Sequence, residues 1–206
     1  MVLRRTKCVK RQFKQQWRMA EIQLASREHR ARVLEGMAHA VSRKGYAETT
    51  IADIVGEASV SRRTFYEHFT SKAECLIALY EAASHNALKV LRDAIDPAHG
   101  WQTQVDRALR AYLGCLASNP VLVRTLFIEI LHLGAEGLAS RRRVNQELAD
   151  FIVKTVGPKL VTPKMAMAIV GGINELVLEY IEQDKVTRLG ELVEPASRLV
   201  HLVTRR

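Results

Sequence analysis

TTIADIVGEASVSRRTFYEHFTSKAECLIALY, residues 49–80, decides the fold of this 206-residue chain. Thr50 stands three residues before Asp53, the spacing at which a threonine oxygen accepts an amide of a helix's opening turn while the carboxylate reaches back. That opens a short helix to about Glu57. Ser61 caps a second, from about Arg62 to His68, and Ser71-Lys72-Ala73-Glu74 is a further capping box heading a long helix that Asp96-Pro97 must end. Only Ala58-Ser59-Val60 separate the two short helices, which is helix-turn-helix spacing. Ile51, Ile54, Val55, Ala58, Val60, Phe65 and Phe69 are placed to form the small core that fixes the angle between them.

Working back from this stretch, a helix is expected from about Ser26 to Lys44, with Leu34, Met37, Ala38 and Val41 as its buried stripe and Gly45 as its stop. Residues 1–25 carry Arg4, Arg5, Lys7, Lys10, Arg11, Lys14 and Arg18 with no acid before Glu21. Such a run reads as a solvated, disordered tail. Val9, Phe13, Trp17, Ala20 and Leu24 nevertheless share one helical face, so an additional amphipathic helix is the other reading.

Working forward, the pattern stays helical to the end, with breaks at Asn119-Pro120, Gly134 to Gly137, Gly157-Pro158 and near Gly190. Thr162 and Pro163 open a helix to about Asp184 whose apolar stripe is wide enough to be buried on more than one side. Pro195 bends or restarts a last helix over about 188–204. No strand alternation occurs, so the expected class is all-α: a basic extension over 1–25, a three-helix DNA-binding domain over 26–72, and a helical domain over 73–206.

Composition agrees. The chain is 48% apolar and 26% charged, with only 6% aromatic residues, the balance of an ordinary globular helical protein. Its net charge of +9 is regional, because residues 1–72 hold 15 Lys/Arg against 7 Asp/Glu while the remainder is nearly neutral. A polyanion partner for the N-terminal third is the simplest electrostatic reading. Cys8, Cys75 and Cys115 are scattered and odd in number, as for reduced thiols in the cytoplasm. No apolar run reaches membrane-spanning length and no signal-peptide core follows the basic start, so neither a membrane nor export is expected.

Residues 49–80 resemble the DNA-binding domain of the TetR/AcrR family of one-component regulators. The resemblance rests on Thr49-Thr50-Ile51-Ala52-Asp53-Ile54 before the turn, Val60 to Phe69 across the second helix, and Ser71-Lys72-Ala73-Glu74 opening the next. It reaches back over Ala38 to Tyr46, and past about residue 85 only size and helical character match. Ser61, Arg62, Arg63, Thr64 and Tyr66 lie at the start and outer face of the second helix, where side chains reach a major groove. The arginines either pair bidentately with guanine or touch phosphate only, and Tyr66 is either exposed or core with its hydroxyl out. The resemblance further implies that Thr50, Tyr66, His68 and Lys72 contact the DNA backbone. Arg4, Arg5, Lys7, Lys10, Arg11 and Lys14 are a candidate backbone arm or a solubilising tail. Two positions depart from the family pattern: Ser59 stands where glycine is usual, at a cost of order 1 kcal/mol if its backbone is left-handed, and Gly56 weakens the preceding helix. Glu67, among DNA-facing residues, is expected either to point away from phosphate or to repel it.

The resemblance implies a repressor that binds a palindromic operator as a homodimer and is released by a small apolar effector. It places the dimer contact on the last two helices, where Gly171, Gly172, Leu176, Tyr180 and Leu199 are candidates, and an effector pocket among the central helices. Tyr112, Leu116, Phe127, Leu131, Phe151 and Met167 are candidate lining residues for that pocket, each with plain core as the alternative. Glu129 and His132 match one Glu-x-x-His half of a di-metal site, but the second half is missing and no metal is expected. No phosphate-binding loop or nucleophile elbow is present, so catalysis has no visible carrier and no cofactor is expected.

Overall fold

The computed structural model describes the backbone of residues 3–204 and the side chains of residues 23–204. Among the described residues there is no strand. The helices are α1 (Leu3–Glu48), α2 (Ile51–Ala58), α3 (Arg62–His68), α4 (Lys72–Asp93), α5 (Trp101–Ala117), α6 (Pro120–Phe127), α7 (Ala135–Val156), α8 (Pro163–Glu182) and α9 (Val193–Val203). Short 3₁₀ segments, Glu129–Leu133 and Val186–Leu192, precede α7 and α9.

Each boundary has a local cause. Gly45, at φ 76° and ψ 164°, breaks α1 where the sequence calls for a stop. The separate helix expected from Ser26 is instead the continuation of α1, since neither glycine nor proline interrupts residues 1–35. The stripe Val9, Phe13, Trp17 and Ala20, the basic side chains Arg4, Arg5, Lys7, Lys10, Arg11 and Lys14, and Cys8 lie outside the described side chains. Leu24, the last member of that stripe, is 60% exposed. Asn119 and Thr162 cap α6 and α8, each followed by proline in the first turn. Pro195 sits in the opening turn of α9, which begins later than expected because the chain first winds through the 3₁₀ segment Val186–Leu192.

α1 buries Val33, Leu34, Met37, Ala38 and Val41. It is packed most extensively against α2, and Gly36 makes this approach possible: a methyl group there would stand 2.6 Å from the Ile54 carbonyl oxygen and 2.9 Å from the Ala58 methyl. One buried cluster then runs without interruption from α1 through α2, α3, α4, α5 and α6 to Val177 and Ile181 of α8. A second cluster joins α5, α7, α8 and α9 through Val105, Ala149, Ile169 and Val200. Among the described residues, no single helix is long and apolar enough to cross a membrane.

Candidate nucleic-acid interface

The two short helices are set by their caps. The Thr50 hydroxyl oxygen accepts the Asp53 amide (3.3 Å), and the Asp53 carboxylate accepts the Thr50 amide (2.7 Å), the reciprocal arrangement read from the sequence. Lys44 lies 2.7 Å from the same carboxylate. The hydrogen bond from Lys44, and then those from Thr50, hold the Asp53 carboxyl well below the usual carboxylate range. The turn follows at Ser59, whose φ of 50° and ψ of 46° place a non-glycine residue in the left-handed region, and the Val60 amide closes it onto the Val55 carbonyl (3.1 Å). Ser61 then caps α3 by accepting the Thr64 amide (3.0 Å).

α3 is held from below by Phe65 and Phe69, which are 0% and 2% exposed and pack against Ile54 and Ala58 in the same cluster, with Ile51, Val55 and Val60 half-buried around them. Its outer face is free. Ser61, Arg62 and Arg63 are exposed, and Tyr66 is 56% exposed with its ring edge-on to Phe65. Of the two readings of Tyr66, the exposed one holds. Thr50 is exposed at the head of α2, while Thr64 and His68 are half-buried. Arg63 Nε lies 3.2 Å from Glu67 Oε1, so Glu67 turns along the helix toward an arginine.

Lys72 has a different setting. Its ammonium donates to the carbonyls of Tyr46 (2.9 Å) and Thr49 (2.7 Å) and sits 4.2 Å over the Tyr46 ring. The lysine thus caps the end of α1 from the first residue of α4. The Tyr46 amide, in the preceding peptide unit, donates to Glu129 (2.9 Å). Glu129 is 4% exposed, with His132 Nδ1 at 3.3 Å and Arg124 Nε at 3.6 Å from its carboxylate. Gly36, which the sequence did not flag, and Glu129, read there only as half of a di-metal motif, therefore fix how α1 meets its neighbours. Among the described residues, no cluster of three or more metal-ligating side chains occurs.

Of the six candidate pocket residues, Tyr112 and Phe151 line an apolar chamber of about 60 Å³ among α4, α5, α7, α8 and α9. Tyr112, Leu116 and Phe127 line an adjoining chamber of about 30 Å³. Leu131 and Met167 line neither. Leu131 is 38% exposed, because the chain leaves α6 at Phe127 and the 3₁₀ winding that follows turns residues out of the phase an α-helix would keep. Met167 packs at the margin of the second cluster. Among the dimer candidates, Gly171 is exposed with open space at its Cα, and Gly172 faces Leu199. Leu176 and Tyr180 are half-buried, and the Tyr180 hydroxyl donates to Glu191 (3.1 Å).

The family model for bacterial regulatory proteins of the tetR family matches residues 34–79, the stretch that contains α2, α3 and the start of α4. Over residues 34–79 the chain belongs to the tetR family of bacterial regulatory proteins. The transcriptional regulator TtgR of Pseudomonas putida is 35% identical over 77 residues, which cover 35% of this chain and 37% of TtgR. The chain thus matches well under half the length of that curated relative. The fatty acid degradation regulator FadR of Bacillus halodurans has the same fold, with a TM-score of 0.71 at 18% identity over 84% of this chain and 94% of that one. FadR of Bacillus subtilis, solved in complex with stearoyl-CoA, gives 0.69 at 16% identity over 82% and 96%. The fold shared with these solved proteins therefore covers more than four-fifths of the chain, while sequence likeness to TtgR is confined to less than half of it.

Proposed function

We propose that this TetR-family chain is a cytoplasmic transcriptional regulator, and not an enzyme, that reads operator DNA by laying α3 in the major groove. The observation that carries this reading is the outer face of α3. Ser61, Arg62, Arg63 and Tyr66 project to solvent from a helix whose other side is fixed by buried Phe65 and Phe69, so donors stand ready without a folding cost at binding. Arg63 is positioned for base edges once it leaves Glu67, and Thr50, Thr64, Tyr66 and His68 for flanking phosphates. The basic start of α1, Arg4 to Lys14, adds phosphate contacts and steepens the salt dependence.

One α3 reads a half-site, so the active form is a homodimer on a palindrome, joined through α8 and α9 around Gly171 and Leu199. Residues 26–72 act as the reading head and 73–206 as the effector and dimerisation domain. An effector with an apolar body, of the kind the stearoyl-CoA complex of Bacillus subtilis FadR illustrates, enters the chambers around Tyr112 and moves α4, which carries Lys72 at its head. This releases DNA and makes the protein a repressor. Selection of genomic fragments on the purified protein, followed by fluorescence anisotropy, tests the proposal. A palindrome is expected, with Arg63→Ala altering base preference and Tyr66→Phe weakening all sites alike. Recovery of no preferred sequence, or indifference to both variants, would refute it.

A further inference from the structure

The voids of the C-terminal half share walls. The apolar chamber and its smaller neighbour have Tyr112, Leu148 and Asn174 in common, and the smaller one shares Ser84, Leu88 and Val144 with a surface cleft of about 280 Å³ between α4 and α7. The shared walls therefore mark out a route from the surface cleft toward the interior, and its chemistry changes along its length. At the mouth, Arg143 pairs with Glu81 (2.6 Å) and donates to Ser140 (2.8 Å), bridging α7 to α4. At the far end, Leu109, Ile152, Val170, Ile173 and Val200 are hydrocarbon. Between them lies a polar station.

That station holds Arg141, Tyr80, Ser84, Asn145 and Asn174. Asn174 is buried and donates to Asn145 (3.2 Å). Arg141 is half-buried, and among the described residues no carboxylate pairs with it. A guanidinium drawn partly out of water without a counter-charge is costly, and an anion is the partner that removes the cost. Burial pushes the Tyr80 phenol up to about 12, against the lowering effect of nearby Arg141, so its hydroxyl remains a donor at neutral pH.

We infer that this path takes an amphipathic anion, its charged oxygens at Arg141 and Tyr80 and its hydrocarbon part in the chamber lined by Leu109 and Ile173. The inference rests on the effector reading above and replaces a purely apolar ligand with one that has a charged head. Chambers of about 60 and 30 Å³ are far below the roughly 300–1,000 Å³ of typical ligand sites. Entry must therefore part α7 from α4, and the Glu81–Arg143 bridge is the contact that opens.

The test is calorimetric titration of the full chain with decanoate, decyl phosphate and decanol, which share a tail and differ in head. Decanoate or decyl phosphate is expected to bind about tenfold or more tighter than decanol, the worth of a charge-assisted contact. Whichever anion binds tighter identifies the head as carboxylate or phosphate, and either result supports the inference. Arg141→Gln should erase the preference while leaving decanol binding, Arg141→Lys should keep part of it, and Ile173→Trp should block all three ligands. Decanol binding as tightly as the anions, a preference that survives Arg141→Gln, or binding by none of the three would overturn the inference. DNA capture on the same preparations separates the two ideas, since fragments retained by a protein indifferent to amphiphiles sink only this one.

Discussion

Ser59 and Gly36 show how single residues set the geometry of the reading head, in opposite senses. Ser59 holds a left-handed backbone with a side chain attached, so Ser59→Gly should raise stability by about 1 kcal/mol in urea unfolding without altering DNA affinity. Gly36 has no room for a methyl group beside the Ile54 carbonyl, so Gly36→Ala should destabilise by about 1–3 kcal/mol and weaken DNA binding by shifting α2. Asp53 adds a pH dependence. Its carboxyl is held low in the folded chain by Lys44 and Thr50, so its contribution is complete above the unfolded pKa near 4 and is lost as pH falls toward the depressed native value. Asp53→Asn should flatten that acid limb in a pH series of thermal melts.

At the scale of elements, the end of α1 is the junction. Its last peptide units are held from α4 by Lys72 and from the segment after α6 by Glu129, so a shift of either neighbour is felt at Thr49 and Thr50, where α2 begins. Leu126 and Phe127, which line the smaller chamber, lie three and two residues before Glu129. Glu129→Ala leaves the Tyr46 amide without its acceptor and should cost about 1–3 kcal/mol, while Glu129→Gln keeps an acceptor and should cost less; thermal melts compare the two. Lys72 offers a sharper contrast. If its ammonium stays on the α1 carbonyls in the complex, Lys72→Ala lowers stability and leaves the salt dependence of DNA binding unchanged. If it transfers to phosphate, the slope of log affinity against log salt falls by about one unit. Anisotropy across a salt series reads the difference.

For the whole molecule, charge and symmetry divide the work. Nearly all of the net charge lies in the first 72 residues, which favours DNA at one end and leaves the other near-neutral end free to associate with itself. Gly171 is exposed in mid-helix with nothing inside the chain to explain it, although glycine there costs about 1 kcal/mol of helix stability. Gly171→Arg starts its side chain in open space, since a Cβ there has no neighbour within 4 Å. Sedimentation should therefore show a folded monomer, with affinity for a palindrome reduced at least about tenfold; an unchanged dimer would remove α8 from the proposed contact.

The sequence by itself determined the all-α class, the caps at Thr50, Ser61 and Thr162 and the stop at Gly45. Each of these depends on residues within one helical turn of one another, so spacing alone expresses it. It also placed the apolar positions of the α2–α3 core, because short helices joined by a tight turn leave few ways to bury them. Only the tertiary structure decided that Glu74 would accept from Thr70 in preference to Ser71, that Lys72 and Glu129 would meet at Tyr46, and that Leu131 would face solvent. It alone brought Arg141 of α7 beside Tyr80 of α4 at the edge of an apolar chamber. The longer-range pairings join residues tens of positions apart, and helical periodicity states which face is apolar but not which other helix covers it.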